Sequence, residues 1–173
     1  MNNLSIVLST YNEEDNIRQT LTKLVNNNLI SEVVIVDDNS NDQTVRIVNE
    51  IKNEKIKLFI RKNTKGFASA FIYGLLMSKG EYIMRFDIDM HSEIDLFLQT
   101  FEKNIDKDCV IFSRYVTNGD DQRGLYRKLS SLIINKLCQY LLSNKIKDYT
   151  SCIMFFKKDL LMDIMPKNTH YAN

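Results

Sequence analysis

Two aspartates that stand one residue apart, Asp87 and Asp89, directly follow a short apolar run. Side chains two positions apart in an extended segment point to the same side, so these carboxylates can converge on one hard cation. Mg²⁺ and Mn²⁺ prefer such oxygen ligands and commonly complete their coordination with substrate phosphates. A surface turn with two hydrated acids is the alternative and, on this pattern alone, the commoner one. His91 is either a further ligand or, as isolated histidines more often are, a surface or supporting group.

A second acidic cluster, Asp37 and Asp38, opens the polar run that ends at Asn41. Neighbouring residues at the end of a strand point in opposite directions, so at most one of these carboxylates is expected to face a ligand. A carboxylate there could accept a hydrogen bond from a nucleotide base or a ribose hydroxyl. An Asx turn with a helix cap explains the same run of residues, and both interpretations stay open.

Several common nucleotide and hydrolase signatures are missing from the sequence. Lys65-Gly66 before a helical segment could favour a phosphate, but the P-loop pattern is absent, as are GxGxxG and GxSxG. These absences argue against a P-loop protein, a dinucleotide-binding dehydrogenase and an α/β-hydrolase.

The overall charge and the apolar runs narrow the possible partners and location. Lys and Arg total 23 against 22 Asp and Glu, a balance that gives no support to nucleic-acid binding. Met1 begins no signal peptide, and no apolar stretch approaches the ~20 residues of a membrane span. The three widely spaced cysteines indicate free thiols in a reducing compartment. We therefore expect a cytoplasmic protein, or one peripheral to the cytosolic face of a membrane.

The elements that must position these residues alternate between short apolar strands and amphipathic helices, which predicts an α/β domain with a mainly parallel sheet covered on both faces. Such sheets bind ligands beyond the carboxyl ends of their strands, where the acidic clusters fall. No linker or repeat divides residues 1–173, so we expect one domain. The predicted strands are Leu4 to Leu8, Val33 to Val36, Ile56 to Ile60, Tyr82 to Phe86 and Cys109 to Phe112; the predicted helices carry Ile17 to Val25, Val45 to Ile51, Gly66 to Ser78 and Glu93 to Lys103.

The order of the motifs resembles the family 2 glycosyltransferases with the GT-A fold, a Rossmann-like three-layer sandwich. Three runs carry the resemblance: Ser5 to Glu13 (SIVLSTYNE), Val33 to Ser40 (VVIVDDNS) and Asp87-Ile-Asp89. Within that family the sequence is most similar to the dolichyl-phosphate mannose synthase and polyprenyl-phosphate glycosyltransferase group. Nearly the whole chain takes part, since four further segments agree: Ser113 to Tyr115, Arg127 to Ser131, Lys147 to Ser151 and Phe155 to Lys158.

The resemblance also implies roles for individual residues. Asp87 and Asp89 would be catalytic and would hold the Mg²⁺ or Mn²⁺ with His91. Arg114, Arg127 and Ser131 would hold an acceptor phosphate, and the last two are four residues apart, on one face of a helix if the segment is helical. The nucleotide-binding residues would be Ser9, Tyr11, Glu13, Val36, Asp38, Asp87, Ile88 and Asp89.

The activity implied by the resemblance is metal-dependent, inverting transfer of a sugar from GDP-mannose or a UDP-sugar to a polyprenyl or dolichyl phosphate at a membrane surface. A phosphate acceptor is already largely dianionic at neutral pH and needs little or no general base. A family 2 transferase acting on a saccharide hydroxyl is one alternative; it would need a base, and Asp148 is the candidate. A non-catalytic nucleotide-sugar-binding protein is another.

The sequence departs from the family pattern at several positions. Ser9 stands where proline is usual, and His91-Ser92 replaces a Gln/Ser-His pair. Leu132 stands where an arginine often follows the serine, and Cys152-Ile-Met154 replaces a Gly-Phe-Arg run. The chain ends at Asn173, and we expect it to lack the usual C-terminal elements of the fold.

The segment from Leu129 to Leu142 places its apolar residues on roughly one side of a predicted helix. An interfacial helix that meets a lipid acceptor would show this pattern, and so would a helix packed on the core. We favour the core-packed helix, because Lys136 alone gives the segment little basic character.

Overall fold

The computed structural model describes residues 3–115 and 124–164 of the chain. Within them, the strands form one sheet in the order β3-β2-β1-β4-β6-β5, and a short 3-10 turn follows β4 at Ile88–Met90. The strands are β1 (Leu4–Thr10), β2 (Ile30–Asp37), β3 (Ile56–Ile60), β4 (Tyr82–Arg85), β5 (Cys109–Ile111) and β6 (Met154–Lys157). The helices are α1 (Ile17–Val25), α2 (Thr44–Glu50), α3 (Phe67–Met77), α4 (Ile94–Lys103), α5 (Leu125–Leu141) and α6 (Lys158–Ile164).

The sheet is mainly parallel, as the sequence predicts. β1 lies at its centre between β2 and β4 and runs parallel to both, and β3 continues the parallel arrangement beyond β2. β6 lies between β4 and β5 and runs antiparallel to both. The near-continuous apolar character of β1 and β2 follows from this position, because a central parallel strand is covered on both faces.

The sequence analysis did not predict β6. Its four residues are too few to show a periodicity, so the run from Phe155 carries no signal that separates a strand from a loop. The pairing determines its state: Phe156 lies opposite Ile83 of β4, and Phe155 lies opposite both Met84 of β4 and Val110 of β5.

Helices cover both faces of the sheet, which confirms the three-layer arrangement. Alternate residues of β1 enter different cores: Leu4, Ile6 and Leu8 pack with α1, α2 and α4, whereas Val7 packs with α3. α6 lies on the same side as α3, where its Leu161 joins the second cluster.

The packing of α3 on β1 and β2 depends on a glycine. A Cβ atom at Gly74 would lie 2.5 Å from Cγ1 of Val7 and 3.1 Å from Cγ2 of Val36, closer than real side chains approach. The missing side chain lets the helix backbone approach the sheet directly. This close approach sets the distance between α3 and the sheet, and the N-terminus of α3 borders the carboxyl edge of the strands.

The orientation of α5 contradicts the core-packed interpretation favoured from the sequence. The buried side chains of this helix are polar: Ser131 and Asn135 face the protein, and Asn135 bonds to Asp148, Tyr149 and Thr150. The apolar residues are exposed instead, namely Leu125, Tyr126, Leu129, Leu132, Ile133, Ile134, Leu137, Tyr140 and Leu141. Periodicity locates an apolar face but does not show what covers it. Across residues 3–115 and 124–164, no helix is long and apolar enough to cross a membrane.

Candidate active site

One cleft of about 340 Å³ lies at the carboxyl ends of β1, β2 and β4. Because parallel strands end at the same edge of the sheet, residues far apart in the sequence meet there, at the place where such folds bind ligands. The clusters predicted after the first, second and fourth strands all contribute to it. The lining residues are Ser9, Thr10, Tyr11, Glu13, Asp38, Phe67, Asp87, Ile88 and Asp89.

Two asparagines shape the loops at this edge. Asn12 and Asn39 have positive φ angles of 57° and 59°, a left-handed conformation that asparagine tolerates better than most residues. The loops are also bonded to each other: the backbone N–H of Asn12 donates to Oγ of Ser40, and the N–H of Asn41 donates to Oδ1 of Asn12. The loops after β1 and β2 therefore form one connected rim.

The two neighbouring aspartates after β2 have different roles, as their opposite directions predict. Asp37 is fully buried and accepts hydrogen bonds from Thr10 Oγ1 at 2.8 Å and Ser40 Oγ at 2.6 Å. This is the turn chemistry considered from the sequence, and it holds the loop together. Asp38 points towards α3 and lines the cleft.

The carboxylate of Asp38 is held by a buried ion pair. Its Oδ1 accepts hydrogen bonds from Nε and Nη2 of Arg61 at 2.7 and 2.5 Å, and its Oδ2 accepts the backbone N–H of Gly66 at 2.8 Å. Both side chains of the pair are less than a tenth exposed. Asp38 thereby fixes the loop before α3 against the cleft. The sequence analysis missed Arg61, because nothing in the sequence indicates that the residue after β3 reaches back to β2.

Three further carboxylates line the cleft. Asp87 and Asp89 are exposed, and Glu13 is the third. Burial raises the pKa of Glu13, and the negative charges of Asp89 and Asp87 raise it further, although a hydrogen bond from Asn16 lowers it. The Glu13, Asp87 and Asp89 side chains therefore make this part of the cleft rich in negative charge.

The residues present fit a divalent cation held in part by protein and in part by a ligand. The carboxylate of Asp89 makes no hydrogen bond to any residue that the structure describes, and the carboxylate of Asp87 makes one contact of 3.4 Å, with Arg85. Two such carboxylates, free to bind, are typical of a site that substrate phosphates complete. Among the described residues no group of three or more His, Cys, Asp or Glu could hold a metal ion, and His91 does not line the cleft. Its Nδ1 is buried without a partner in the described chain.

Two aromatic rings form the walls of the cleft, and each has a cation against it. Lys65 Nζ lies 4.3 Å from the centre of the Tyr11 ring and donates to the Tyr11 hydroxyl at 3.3 Å. The guanidinium of Arg85 lies 4.0 Å from the centre of the Phe67 ring. The sequence analysis did not single out Phe67 or Arg85 as site residues. An apolar residue at the start of a helix and an arginine in a strand resemble ordinary structural residues.

Of the other residues assigned to the nucleotide pocket, two line the cleft and one does not. Ser9 lines the cleft, with a buried Oγ that has no partner in the described chain. Ile88 also lines it and is anchored by its carbonyl oxygen, which accepts a hydrogen bond from Thr20. Val36 does not line the cleft: its side chain is fully buried towards α3, because alternation along β2 directs it there.

The three residues assigned to an acceptor phosphate lie outside the cleft lining. Arg127 is exposed on α5, and Ser131 lies buried one turn further on. Arg114 forms a two-point ion pair with Asp148, with Nε–Oδ2 and Nη2–Oδ1 distances of 2.8 and 2.9 Å. Burial of the Asp148 carboxyl raises its pKa, but hydrogen bonds from Arg114 and Thr150 outweigh burial and hold the pKa below its ordinary value. A buried, ion-paired carboxylate of this kind is a poor general base.

The fold and the cleft define an α/β protein with an acidic ligand site at the carboxyl edge of a parallel sheet. Residues 5–165 match the sequence profile described as Glycosyl transferase family 2, and the chain belongs to that family. It is 32% identical to a dolichol-phosphate mannosyltransferase of Pyrococcus furiosus over 74% of this chain, and 26% identical to that of Saccharomyces cerevisiae over 73%. The matched segments span 38% and 51% of those two proteins.

Solved structures confirm the GT-A fold predicted from the sequence. The chain superposes on glucosyl-3-phosphoglycerate synthase from Mycobacterium tuberculosis in complex with UDP with a TM-score of 0.68. The sequence identity is 17%, and the match covers 92% of this chain and 58% of the synthase. The same synthase has also been solved with Mn²⁺, UDP and glucosyl-3-phosphoglycerate, and that structure matches with a TM-score of 0.66.

Proposed function

We propose that this chain carries the donor site of an inverting glycosyltransferase, which binds a nucleotide-sugar such as GDP-mannose or a UDP-sugar together with Mg²⁺ or Mn²⁺. The observation that carries the proposal is the meeting of Tyr11, Asp38, Asp87 and Asp89 in one cleft. Two carboxylates without strong partners stand beside an aromatic wall, which suits a diphosphate attached to a base. The relation to dolichol-phosphate mannosyltransferases, and the Mn²⁺ and UDP bound by the mycobacterial synthase, support this assignment.

Different residues of the cleft bind different parts of the donor. Asp87 and Asp89 hold the cation, which supplies positive charge for the departing diphosphate. Tyr11 offers a face for stacking the base, since aromatic rings bind planar groups well. Asp38, Ser9 and Ile88 form the floor, and the bond between Asp38 and Gly66 keeps the loop before α3 in place. Because the donor lies between these fixed groups, its anomeric carbon is held for direct displacement by an acceptor from the open side.

The acceptor that the structure favours is a lipid phosphate at a membrane surface. The outward face of α5, which we call the α5 apolar face, is defined by Leu129, Ile133 and Leu137 and is exposed. The stretch from Gly124 to Lys147, which contains α5 and the segment after it, has no acidic residue and five basic ones: Arg127, Lys128, Lys136, Lys145 and Lys147. An exposed apolar helix with basic residues and no acids suits an anionic lipid surface. A polyprenyl phosphate would present its phosphate at that surface.

The donor proposal can be tested by ligand-induced stabilisation. Melting temperatures are measured with UDP-sugars and GDP-sugars, each with and without Mn²⁺. We expect one class of nucleotide to raise the melting temperature, with a larger rise when Mn²⁺ is present, because a ligand that binds only the native state stabilises it by mass action.

Two aspartate variants make this test specific. Asp89→Asn keeps the shape of the side chain and removes its charge, so it should abolish the additional rise caused by Mn²⁺. Asp95→Asn is the matched control: Asp95 is exposed at the start of α4, outside the cleft lining, and its replacement should leave the response unchanged. An identical response of wild type and Asp89→Asn to Mn²⁺ would contradict the metal assignment.

The membrane proposal is tested by co-sedimentation with vesicles. Wild-type protein should pellet with vesicles of mixed phosphatidylcholine and phosphatidylglycerol, and less with phosphatidylcholine alone. Ile133→Asp combined with Leu137→Asp should prevent pelleting. Leu96→Asp is the control, since Leu96 is 58% exposed on α4 and so resembles Leu137, which is 55% exposed. Failure of the wild type to pellet with anionic vesicles, or equal loss in both variants, would refute a lipid role for the α5 apolar face.

A further inference from the structure

Arg85 is a buried cation that has no role in the proposed binding of the donor. It is the last residue of β4 and is 6% exposed. Its guanidinium lies 4.0 Å from the ring centre of Phe67 and 5.3 Å from that of Phe71. Among the residues that the structure describes, its ion pair is the 3.4 Å contact between Nη2 and Oδ1 of Asp87. Arginine is almost never buried unless it is paired, so the weak partner needs an explanation.

The surroundings of Arg85 keep its charge effective at the cleft. Phe67 lies against the guanidinium and itself lines the cleft, so Arg85 stands directly behind the cleft wall. Water is largely excluded there, and a charge in such a place is screened less than a surface charge. Of the four carboxylates that line the cleft, Asp38 is already balanced by Arg61. The charge of Arg85 therefore acts on Asp87.

The register of the sheet pairs the position of Arg85 with a position on the neighbouring strand. Arg85 lies directly opposite Met154 of β6 in the antiparallel pairing. Side chains of paired residues stand on the same face, with Cβ atoms about 4.5–5.5 Å apart. A guanidinium placed at position 154 would therefore stand on the same face of the sheet as that of Arg85.

We propose that Arg85 is a fixed counter-charge for Asp87, which makes binding of the divalent cation depend on the diphosphate of the donor. With the cleft empty, Arg85 partly neutralises Asp87 and repels a dication, so the cation alone binds weakly. A nucleoside diphosphate brings negative charge that Arg85 attracts, and it adds oxygen ligands for the cation. Contact between the cation and the diphosphate couples the two ligands, so that each raises the affinity for the other, and Arg85 keeps the affinity for the cation alone low. This inference rests on the proposed donor site.

A purely structural role for Arg85 predicts the opposite change in the affinity for Mn²⁺ when Arg85 is replaced. If Arg85 merely oriented Asp87 as a ligand, its removal would disorder the carboxylate and weaken the binding of Mn²⁺. If it is a counter-charge, its removal frees Asp87 and strengthens the binding of Mn²⁺ alone. Because Asp87 is half-exposed and its contact with Arg85 is long, water screens the attraction between them, and we expect a change in the affinity for Mn²⁺ of about tenfold.

The experiment measures binding to the whole chain by isothermal titration, with Mn²⁺ alone, with UDP or GDP alone, and with both together. Arg85→Met, which keeps an apolar side chain between the aromatic rings, should bind Mn²⁺ alone about tenfold more tightly and the nucleotide alone several-fold more weakly. Arg85→Lys keeps the charge and should resemble the wild type. Arg85→Met combined with Met154→Arg returns a guanidinium to the same face and should restore the wild-type pattern.

The outcomes separate this inference from the donor site on which it rests. Wild-type protein that binds neither Mn²⁺ nor a nucleoside diphosphate refutes the donor site, and this inference with it. Wild-type binding together with unchanged or weaker binding of Mn²⁺ alone by Arg85→Met refutes the counter-charge and leaves the donor site intact. Urea unfolding of each variant verifies that it is folded. If Arg85→Met does not fold, an affinity of Arg85→Lys for Mn²⁺ alone that differs from that of the wild type would contradict the proposal, because lysine retains the charge.

Discussion

Replacing Asp38 by alanine tests whether the ion pair beneath the cleft holds the loop before α3 in place. The side chains of Asp38 and Arg61 are 9% and 8% exposed, and Arg61 donates two hydrogen bonds to one carboxylate oxygen. Removing the acid leaves a buried guanidinium without its counter-charge. It also leaves the backbone N–H of Gly66 without its acceptor.

The expected loss in the free energy of unfolding is about 3–5 kcal/mol, the usual effect of removing one partner of a buried pair. For a chain of this size each kcal/mol lowers the melting temperature by roughly 2–4 °C, so the shift should be roughly 6–20 °C. The loss is large compared with the 5–15 kcal/mol that stabilises a typical domain. Urea unfolding followed by circular dichroism measures it directly.

Two further variants show whether the unpaired buried charge causes the loss of stability in Asp38→Ala. Asp38→Ala combined with Arg61→Met removes both charges, and it should recover at least about 2 kcal/mol relative to Asp38→Ala alone. Asp106→Ala breaks an exposed pair with Lys107 and should leave the urea midpoint unchanged. A loss below about 1 kcal/mol for Asp38→Ala, or strict additivity in the double variant, would refute the reasoning.

Two further predictions concern the other buried acid and the packing of α3. Because the pKa of Asp148 is lowered in the folded state, its pairing with Arg114 stabilises the protein fully above about pH 4, and this stability is lost as the pH falls through the lowered pKa. Asp148→Asn should therefore cost on the order of 3 kcal/mol at pH 7, and the difference from the wild type in urea unfolding should shrink below about pH 4; a difference independent of pH would contradict the pairing. Gly74→Val should destabilise the protein by about 3 kcal/mol, because α3 must move away from Val7. Gly124→Val, where a Cβ atom meets nothing within 4 Å, should have little effect, and equal melting temperatures for the two valine variants would refute the close-packing argument.

The sequence was enough to predict the parallel half of the sheet and the edge of the sheet at which the cleft lies. Apolar runs such as Val33 to Val36 can be satisfied only when both faces are covered, and this requirement implies parallel strands between helices. Because parallel strands end at one edge, the residues after β1, β2 and β4 had to converge. Their meeting in one cleft therefore followed from the order of the elements alone.

Other features depend on contacts between residues far apart in the chain, which a local pattern does not contain. β6 is a strand because β4 and β5 offer it partners on both sides. Arg61 reaches Asp38 across 23 positions of sequence, and Arg85 reaches the cleft wall through Phe67. Each of these residues is ordinary in its own segment and acquires its role only through its neighbours in space.

The helix α5 shows the difference most clearly. The sequence determined that its apolar residues share one face, because the periodicity of a helix fixes which side chains lie together. Only the tertiary structure decided which face turns inward. Asn135 forms hydrogen bonds with the 148–150 loop, and with another face of the helix turned inward these polar groups would have to bond to water instead. Satisfying those buried polar groups outweighed covering the leucines, and the apolar face was left on the surface.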